Sequence, residues 1–483
     1  MSEEILINVT PQETRVAIMA QGALQELHIE RSTSLGLVSN IYRGDVCRVL
    51  PGMQSAFVEI GLQRAAFLHA TDILECSSAE TERTIQEVLH EGQPLIVQVV
   101  KEPLGTKGAR LTTQISIAGR FLVFLPEQQH IGVSQRIEDE AEREALRDRL
   151  SKLLPEDRKG GYIIRTQAET ATDEELLADV DYLQKVWRNI QTSSKSAANR
   201  SLVFQELDLP MRVLRDVVNK DTECIRVDSR ETYVKLREFS ALYVQGAVSK
   251  LEHYQGERPL FDVYNVENEI KKALSRKVEL KSGGYLIFDQ TEALTTVDVN
   301  TGSFVSGRSL SDTIFKTNLE ASQSIARQLR LRNLGGIIII DFIDMDEDAQ
   351  RAAVLEELQK AVAKDRTRTG IHGFSTLGLV EMTRKRTRES LAHILCEPCP
   401  VCQGRGELKT AQTVCYEILR ELLRHARQFS AREFRVLASP KVIELLNDEE
   451  SQSLANLSDF IGKPVSLQPE AQYSQEAFDI VLM

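Results

Sequence analysis

The sequence predicts a mixed α/β chain of several domains, with a small β-barrel near its N-terminal end. Three observations lead there. At 483 residues the chain is too long for one ordinary core and suggests two to four compact units. Its 42% hydrophobic and 27% charged residues are an ordinary globular balance, which excludes a disordered or fibrous chain. Its apolar periodicity also switches repeatedly between two and about 3.6 residues, the mark of strands and helices in alternation.

Residues 1–34 read as short strands with alternating apolar positions, in ILINVT, TRVAIM and LQELHIE. Residues 35–118 hold the runs NIYRGDVCRV, SAFVEIG, AAFLHA and PLIVQVV between glycine turns, and strands of this length and spacing suggest a small barrel. From 119 to 190, FLVFLP and GYIIRT read as strands, and IEDEAEREALRDRLSKLL and DEELLADVDYLQKVWRNI as amphipathic helices. The polar stretch QTSSKSAANRS at 191–201 reads as a linker or exposed loop. Helical patterns dominate 205–278. GGYLIFDQTEALTTVDVNTG then reads as a two-stranded hairpin. The next segment, SDTIFKTNLEASQSIARQLRLRNLGG, reads as a long helix with Asp312 as N-cap, Arg327, Arg330 and Arg332 near its end, and Gly335 as terminator. Four consecutive isoleucines, Ile337–Ile340, suit a strand buried on both faces. A helix at 348–364, a basic stretch, a cysteine cluster and a mixed region from about 411 complete the chain.

Nothing approaches the ~20 apolar residues of a spanning helix. The start, MSEEILINVTPQ, lacks the basic head and apolar stretch of a secretory signal. The expected location is therefore cytoplasmic. The formal charge of −12 argues against general nucleic-acid binding, because phosphate affinity needs Lys and Arg. The distribution is uneven, however: Arg366, Arg368, Arg384, Lys385, Arg386 and Arg388 stand against the single acid Glu381. An acidic body with a basic groove would hold RNA locally and repel it elsewhere. The plainer reading is a solvated helix face.

Two aspartates carry the chemical interest. In TTVDVN, alternation places Thr296, Asp298 and Asn300 on one face of a strand. Asp341, directly after the isoleucines, shares a face with Ile337 and Ile339, and Asp344 would point the other way if the strand continued. Two carboxylates and an amide on adjacent strands suit Mg²⁺, a hard ion that prefers oxygen ligands. Near a phosphodiester it would stabilise phosphate charge and activate water. The plainer reading is that Asp341 caps a strand beside the acidic loop DMDED and Asp298 makes a turn hydrogen bond. In the barrel region, Phe57 and Phe67 flank a glycine turn, and exposed aromatics on a small barrel can stack on unpaired bases. Lys107 in GTKGARLTT could add a phosphate contact. Phenylalanine in a strand is, however, usually core.

Together these segments resemble the ribonuclease E/G family. The resemblance runs from INVTPQETRV to the C-terminus through GDVCRVLPGMQSAFVEIGLQRAAFLHATDI, VELKSGGYLIFDQTEALTTVDVNTG, NLEASQSIARQLRLRNLGGIIIIDFIDM, GLVEMTRKRTRESL and CPVCQGRG. One branch of the family carries a long disordered C-terminal arm, and an end at Met483 favours the other branch. The resemblance implies an RNase H-like fold split between 1–34 and 205–278, around an S1-like RNA-binding OB barrel at 35–118 and a 5′-sensor region at 119–204. It further implies a DNase I-like catalytic subdomain at 279–395, a zinc-link at 396–410 and a small dimer- or tetramer-forming domain at 411–483. Asp298 and Asp341 match the aspartates that hold catalytic Mg²⁺, with Asn300 beside them. Phe57, Phe67 and Lys107 match RNA-contacting positions. Arg165 and Thr166 match a pocket that senses a 5′-monophosphate, Val123 its wall and Arg368 a supporting arginine. A compact, doubly charged monophosphate suits the parallel hydrogen bonds of an arginine better than a bulky triphosphate would. The activity implied is Mg²⁺-dependent hydrolysis of single-stranded, A/U-rich RNA to 5′-phosphate and 3′-hydroxyl ends. Its expected substrates are ribosomal RNA precursors (the 16S 5′ end) and messenger RNA. A non-catalytic RNA-binding scaffold and a phosphoesterase acting on DNA or small phosphates are the rival readings.

Seven cysteines are no disulfide framework, and the cluster Cys396, Cys399 and Cys402 suggests metal. The family pattern is one Cys-x-x-Cys per chain, here Cys399 and Cys402. A tetrahedral zinc needs four ligands, so two chains would share one Zn²⁺ and form a homodimer. Cys396 leaves open a three-thiolate site or a bystander role.

Overall fold

The computed structural model describes residues 2–33, 36–74, 84–103, 108–137, 139–155, 158–302, 310–386 and 388–483. Two compact units emerge, residues 1–391 and 392–483.

The first unit opens with a meander of β1 (Glu3–Val9), β2 (Glu13–Ala20) and β3 (Ala23–Arg31). A barrel follows, made of β4 (Ile41–Leu50), β5 (Ser55–Glu59), β6 (Ala66–His69), β7 (Pro94–Lys101) and β8 (Arg110–Thr112). The strand order is β4-β5-β6-β8-β7, and β7 pairs back onto β4 to close it. Closure removes the free edges that an open sheet would expose. Alternation sorts the side chains: Ala56, Val58, Ala66 and Leu68 fill the interior, while Phe57 and Phe67 point outward and are only partly covered.

Next come β9 (Ile117–Ala118), β10 (Leu122–Leu125), β11 (Ile131–Val133), helix α1 (Glu140–Leu153), β12 (Gly161–Ile164) and helix α2 (Asp173–Ser196). The four strands form a sheet in the order β11-β12-β10-β9, packed through Leu122, Phe124, Tyr162 and Ile164 on Leu146, Leu150, Leu176 and Leu183 of the helices. Thr172 and Glu175 form a capping box at the start of α2. This helix continues to Ser196, so the first six residues of the expected linker are helical. Only the stretch from Ala197 onward is irregular, leading to β13 (Ser201–Phe204).

Helix α3 (Leu209–Asp216), β14 (Thr222–Val227), helix α4 (Arg230–Tyr243) and β15 (Leu251–His253) then return to the first sheet. There β14 lies parallel to β1, giving the order β15-β14-β1-β2-β3. Val213, Leu214, Leu236 and Phe239 cover Ile5, Ile7, Val16 and Ile18. Helix α5 (Val266–Leu274) leads to the last sheet of this unit.

That sheet contains β16 (Lys277–Glu279), β17 (Tyr285–Gln290), β18 (Leu294–Asn300), β19 (Gly336–Asp341), β20 (Thr369–Phe374) and β21 (Val380–Arg384). The order is β16-β17-β18-β19-β21-β20. Two helices, α6 (Leu310–Leu331) and α7 (Asp348–Val362), cover one face. Leu286, Phe288, Val297, Val299, Ile338 and Ile340 meet Ala321, Ile325, Leu329, Val354 and Leu358 there. Full burial of side chains of this size is worth about 1.5–3 kcal/mol each.

Three expectations change here. The isoleucine strand is covered on one face only: Ile338 and Ile340 are fully buried, but Ile337 is 50% exposed on the other side. Among the described residues the helices packed on this sheet lie on the side of Ile338 and Ile340, so unbroken apolarity did not imply two covers. Asp312 lies in the first turn of α6 and is not its N-cap. The helix stops at Leu331 and is closed off by Asn333, which takes the left-handed conformation (φ 49°), with Leu334 N–H donating to Leu329 O and Asn333 N–H to Arg330 O. Asparagine supports that geometry, so Gly335 is not the terminator.

The second unit contains helix α8 (Ala411–Gln428), β22 (Phe434–Ala438), helix α9 (Pro440–Asn447), helix α10 (Ser451–Ile461), β23 (Val465–Pro469) and β24 (Phe478–Leu482). Its sheet runs β23-β22-β24, parallel then antiparallel. The buried row Phe434, Val436 and Ala438 packs on Val414, Ile418, Leu422 and Val442. Among the described residues no helix is long and apolar enough to cross a membrane.

Candidate active site

Strands β18 and β19 run parallel, and their register sets Asp298 directly beside Asp341. Both side chains emerge on the face that α6 and α7 leave uncovered, because Val297, Val299 and Ile340 turn inward. Asn300, two residues on, shares that face, and its Nδ2 donates to Asp298 Oδ2 at 2.9 Å. This bond orients the Asp298 carboxylate. Burial and the neighbouring charges of Asp298 and Asp344 push the Asp341 carboxyl above its ordinary range. Strand β19 ends at Asp341, so Asp344 does not follow strand alternation to the far face; the loop keeps it within electrostatic reach. Among the described residues no Lys or Arg forms an ion pair with Asp298 or Asp341. Two exposed carboxylates held side by side without a cation repel each other, and this donor set fits a hard divalent ion. The candidate Mg²⁺ ligands Asp298 and Asp341, with Asn300, therefore form one cluster.

The barrel presents a second surface. Phe57 and Phe67 are cross-strand partners with ring centroids 6.1 Å apart in an edge-to-face arrangement. His69, two residues further along β6, extends the row at 6.3 Å from Phe67. Arg110 is the parallel neighbour of Phe67 and is anchored by Asp72 at 2.8 Å. His69 and Arg110 escaped the sequence reading, although alternation from Phe67 would have found His69. Lys107 lies outside the described residues.

Arg165 and Thr166 follow β12, and Val123 stands on the adjacent β10. The Arg165 N–H donates to Phe121 O at 2.8 Å, and its guanidinium donates to Gly119 O. Asp179 of α2 shapes this corner: its carboxylate accepts the N–H groups of Arg120, Phe121 and Leu122 at 3.0, 2.9 and 2.9 Å. A Cβ on residue 119 would sit 2.5 Å from that carboxylate, so the position needs glycine. Arg368 is exposed, and among the described residues no hydrogen bond or ion pair joins its side chain to Arg165 or Thr166. Arg366, two residues earlier, reaches Val217 O at 3.3 Å.

The basic stretch is not a helix face. It lies on the β20–β21 hairpin and the segments beside it. Arg384 is buried, with Nε 2.7 Å from Asp365, and also donates to Leu334 O. Arg386 donates to Gly335 O, and Arg388 meets His28. Much of the positive charge is spent on holding the fold.

In the second unit, Cys399 and Cys402 flank a tight turn in which Gln403 N–H donates to Cys399 O at 2.7 Å. Gln403, Gly404 and Gly406 take positive φ, which aims backbone N–H groups at sulfur. Backbone donors at Gly406 and Gly404, with Cys399, hold the Cys402 thiol below its ordinary range. That favours a thiolate, the form that binds metal. Cys396 is exposed. Among the described residues no group of three or more His, Cys, Asp or Glu is placed to hold a metal within one chain.

Comparisons with known proteins supply the class of the chain. Residues 116–387 match the model of the Ribonuclease E/G family, and 398–482 match its thioredoxin-like domain. The chain is 57% identical to Ribonuclease G of Salmonella typhimurium over the full length of both proteins, and 53% identical to that of Haemophilus influenzae over 99% of each. It is 37% identical to Ribonuclease E of Haemophilus influenzae over 94% of this chain and 49% of that protein. The chain belongs to the ribonuclease E/G family.

Proposed function

We propose that this chain is a Mg²⁺-dependent endoribonuclease that cuts single-stranded, A/U-rich RNA to 5′-phosphate and 3′-hydroxyl ends. Family membership supports the endoribonuclease class. The observation that carries the chemistry is the register placing Asp298 beside Asp341 on an open sheet face. Asp298 and Asp341 would hold the ion, and Asn300 orients Asp298. Mg²⁺ bound there would supply charge stabilisation at the scissile phosphate and an activated water. The outward aromatics of the barrel would stack on unpaired bases, which a duplex does not offer. Arg165, Thr166 and Val123 would favour RNA with a 5′-monophosphate, and Arg368 would support them. Ribosomal RNA precursors, including the 16S 5′ end, and messenger RNA are the proposed substrates, met in the cytoplasm. Cys399 and Cys402 supply half of a tetrahedral site, which supports a homodimer sharing one structural Zn²⁺.

The test uses purified full-length protein and an RNA oligonucleotide bearing a 5′-monophosphate. Asp298→Asn and Asp341→Asn should each lose at least about 100-fold in cleavage rate, the scale typical for removing one preorganised charge-stabilising group. RNA retention on filters should survive. Wild-type cleavage rates in both variants would refute the metal site, and a wild-type protein that binds RNA without Mg²⁺-dependent products would establish the scaffold reading.

A further inference from the structure

The guanidinium of Arg165 is held from one side only. Its Nη1 donates to Gly119 O and pairs with Asp216 Oδ1 at 2.8 Å, and among the described residues these are its only side-chain partners. The Nε–Nη2 edge, the fork that grips two phosphate oxygens in parallel, is left to a ligand. Both partners are about one-third exposed, at 28% and 32% of their side chains, so the pair is within reach of solvent.

Asp216 is a fixed anchor. It ends α3, and its carboxylate also takes Arg215 Nη2 at 3.0 Å and Nε at 3.2 Å. Arg215 is buried and tied in turn to Glu206 at 2.8 Å and Ala118 O at 3.1 Å. The carbonyls that follow are held as well: Asp216 O accepts Gln167 Nε2 at 2.7 Å, Val217 O accepts Arg366 Nη2 and Val218 O accepts Arg120 Nη2, each at 3.3 Å. Cationic donors at a helix C-terminus are stabilising, so α3 is clamped in place. Burial works against ionisation of Asp216, but Arg215 and then Arg165 outweigh it and hold the carboxyl below its ordinary range. The anchor is therefore charged at neutral pH.

We propose that Asp216 is the positioning residue of the 5′-end pocket, gripping Arg165 by Nη1 so that its free edge is presented to a terminal monophosphate. The proposal rests on the reading of Arg165 and Thr166 as that pocket. It explains how one arginine can serve an anionic ligand beside a carboxylate: Arg215 already balances the carboxylate, and the ligand meets the opposite edge. An arginine freed from this anchor would sample many rotamers, and ordering it would fall on the RNA.

The experiment compares one oligonucleotide carrying a 5′-monophosphate or a 5′-hydroxyl. The proteins are wild type, Arg165→Ala, Asp216→Asn, Asp216→Glu and the double variant Arg165→Ala/Asp216→Asn. Asp216→Asn should lower the monophosphate preference in kcat/KM by about 5- to 10-fold, through KM of the monophosphate substrate, with kcat and the hydroxyl substrate unchanged. Asp216→Glu, which restores the charge, should recover part of the preference. In the Arg165→Ala background, Asp216→Asn should have no further effect on the ratio. If wild type shows the preference and Arg165→Ala removes it, yet Asp216→Asn leaves it intact or raises it, the anchor role is wrong. Equal losses on both substrates, without rescue by glutamate, also refute it, since they mark a structural role. If wild type shows no preference, or Arg165→Ala keeps it, the pocket itself has been misread.

Discussion

Replacing Asp341 by asparagine should make the metal-free protein more stable while making it deaf to Mg²⁺. The two carboxylates are in-register neighbours on adjacent strands, and such strands lie about 4.8 Å apart. Two unit charges at that spacing repel by roughly 0.9 kcal/mol at the dielectric of water and roughly 3.5 kcal/mol at an effective dielectric of 20. Both side chains are exposed, so the lower figure governs, and Asp344 adds to it. The direction of the Asp341 shift gives the same sign. A carboxyl raised above its ordinary range costs folding free energy once it ionises, so the penalty is present at neutral pH and vanishes below the unfolded value. Asparagine keeps the shape without the charge, and the Asn300–Asp298 bond remains. The expected gain is about 1 kcal/mol in EDTA. Mg²⁺ at one hundred times its dissociation constant should stabilise wild type by about 2.7 kcal/mol and the variant by little. Urea unfolding at neutral pH, in EDTA and in Mg²⁺, measures both. A variant less stable than wild type in EDTA, or equally stabilised by Mg²⁺, would refute a repulsive pair awaiting a cation.

Four further outcomes can be checked independently. Phe57→Ala and Phe67→Ala should each weaken single-stranded RNA binding by about 1–3 kcal/mol in a fluorescence titration while leaving the melting temperature close to wild type, since both rings point out of the barrel core. Asp179→Ala should destabilise the protein by about 3 kcal/mol or more, because three backbone donors lose a charged acceptor at once; urea unfolding reads this, and a loss below 1 kcal/mol would contradict it. Acid should loosen the contact between Glu26, His28 and Arg388: burial and Arg388 push His28 down to about 4, so its contribution is present above pH 6.5 and fades as pH falls towards 4. Glu26, held at about 2 because its partners outweigh the cost of burial, fades between 4.5 and 2. His28→Asn should flatten the upper part of that decline in melting temperature. Cys399→Ser should shift dimers towards monomers in sedimentation, and an unchanged profile would rule out a shared zinc.

Local pattern made much of the architecture legible, because alternation and helical periodicity are properties of neighbouring residues. The β17–β18 hairpin, the long helix α6 and the inward and outward faces of β5 and β6 follow directly from the order of side chains. So does the placing of Asp298 and Asn300 on one face. Where a feature depends on what packs against it, the same reasoning missed. Ile337 looks like core and is half exposed, because α6 and α7 pack on the opposite face of β19, against Ile338 and Ile340. Arg384 looks like part of an RNA groove and is buried against Asp365. Asn333, the second residue after α6, ends the helix by taking the left-handed conformation, which the glycines just beyond it made easy to overlook.

By itself, then, the order of amino acids determined which strands and helices form, which faces are apolar, and which residues carry carboxylates, thiols and guanidinium groups. Only the tertiary structure decided that Asp298 and Asp341, 43 positions apart, stand in register, and that Asp216 reaches Arg165 from the end of α3. The physical reason is range. Backbone dihedrals and side-chain periodicity act over a few residues, whereas register and ion pairing between distant segments are fixed only when the whole core closes around them.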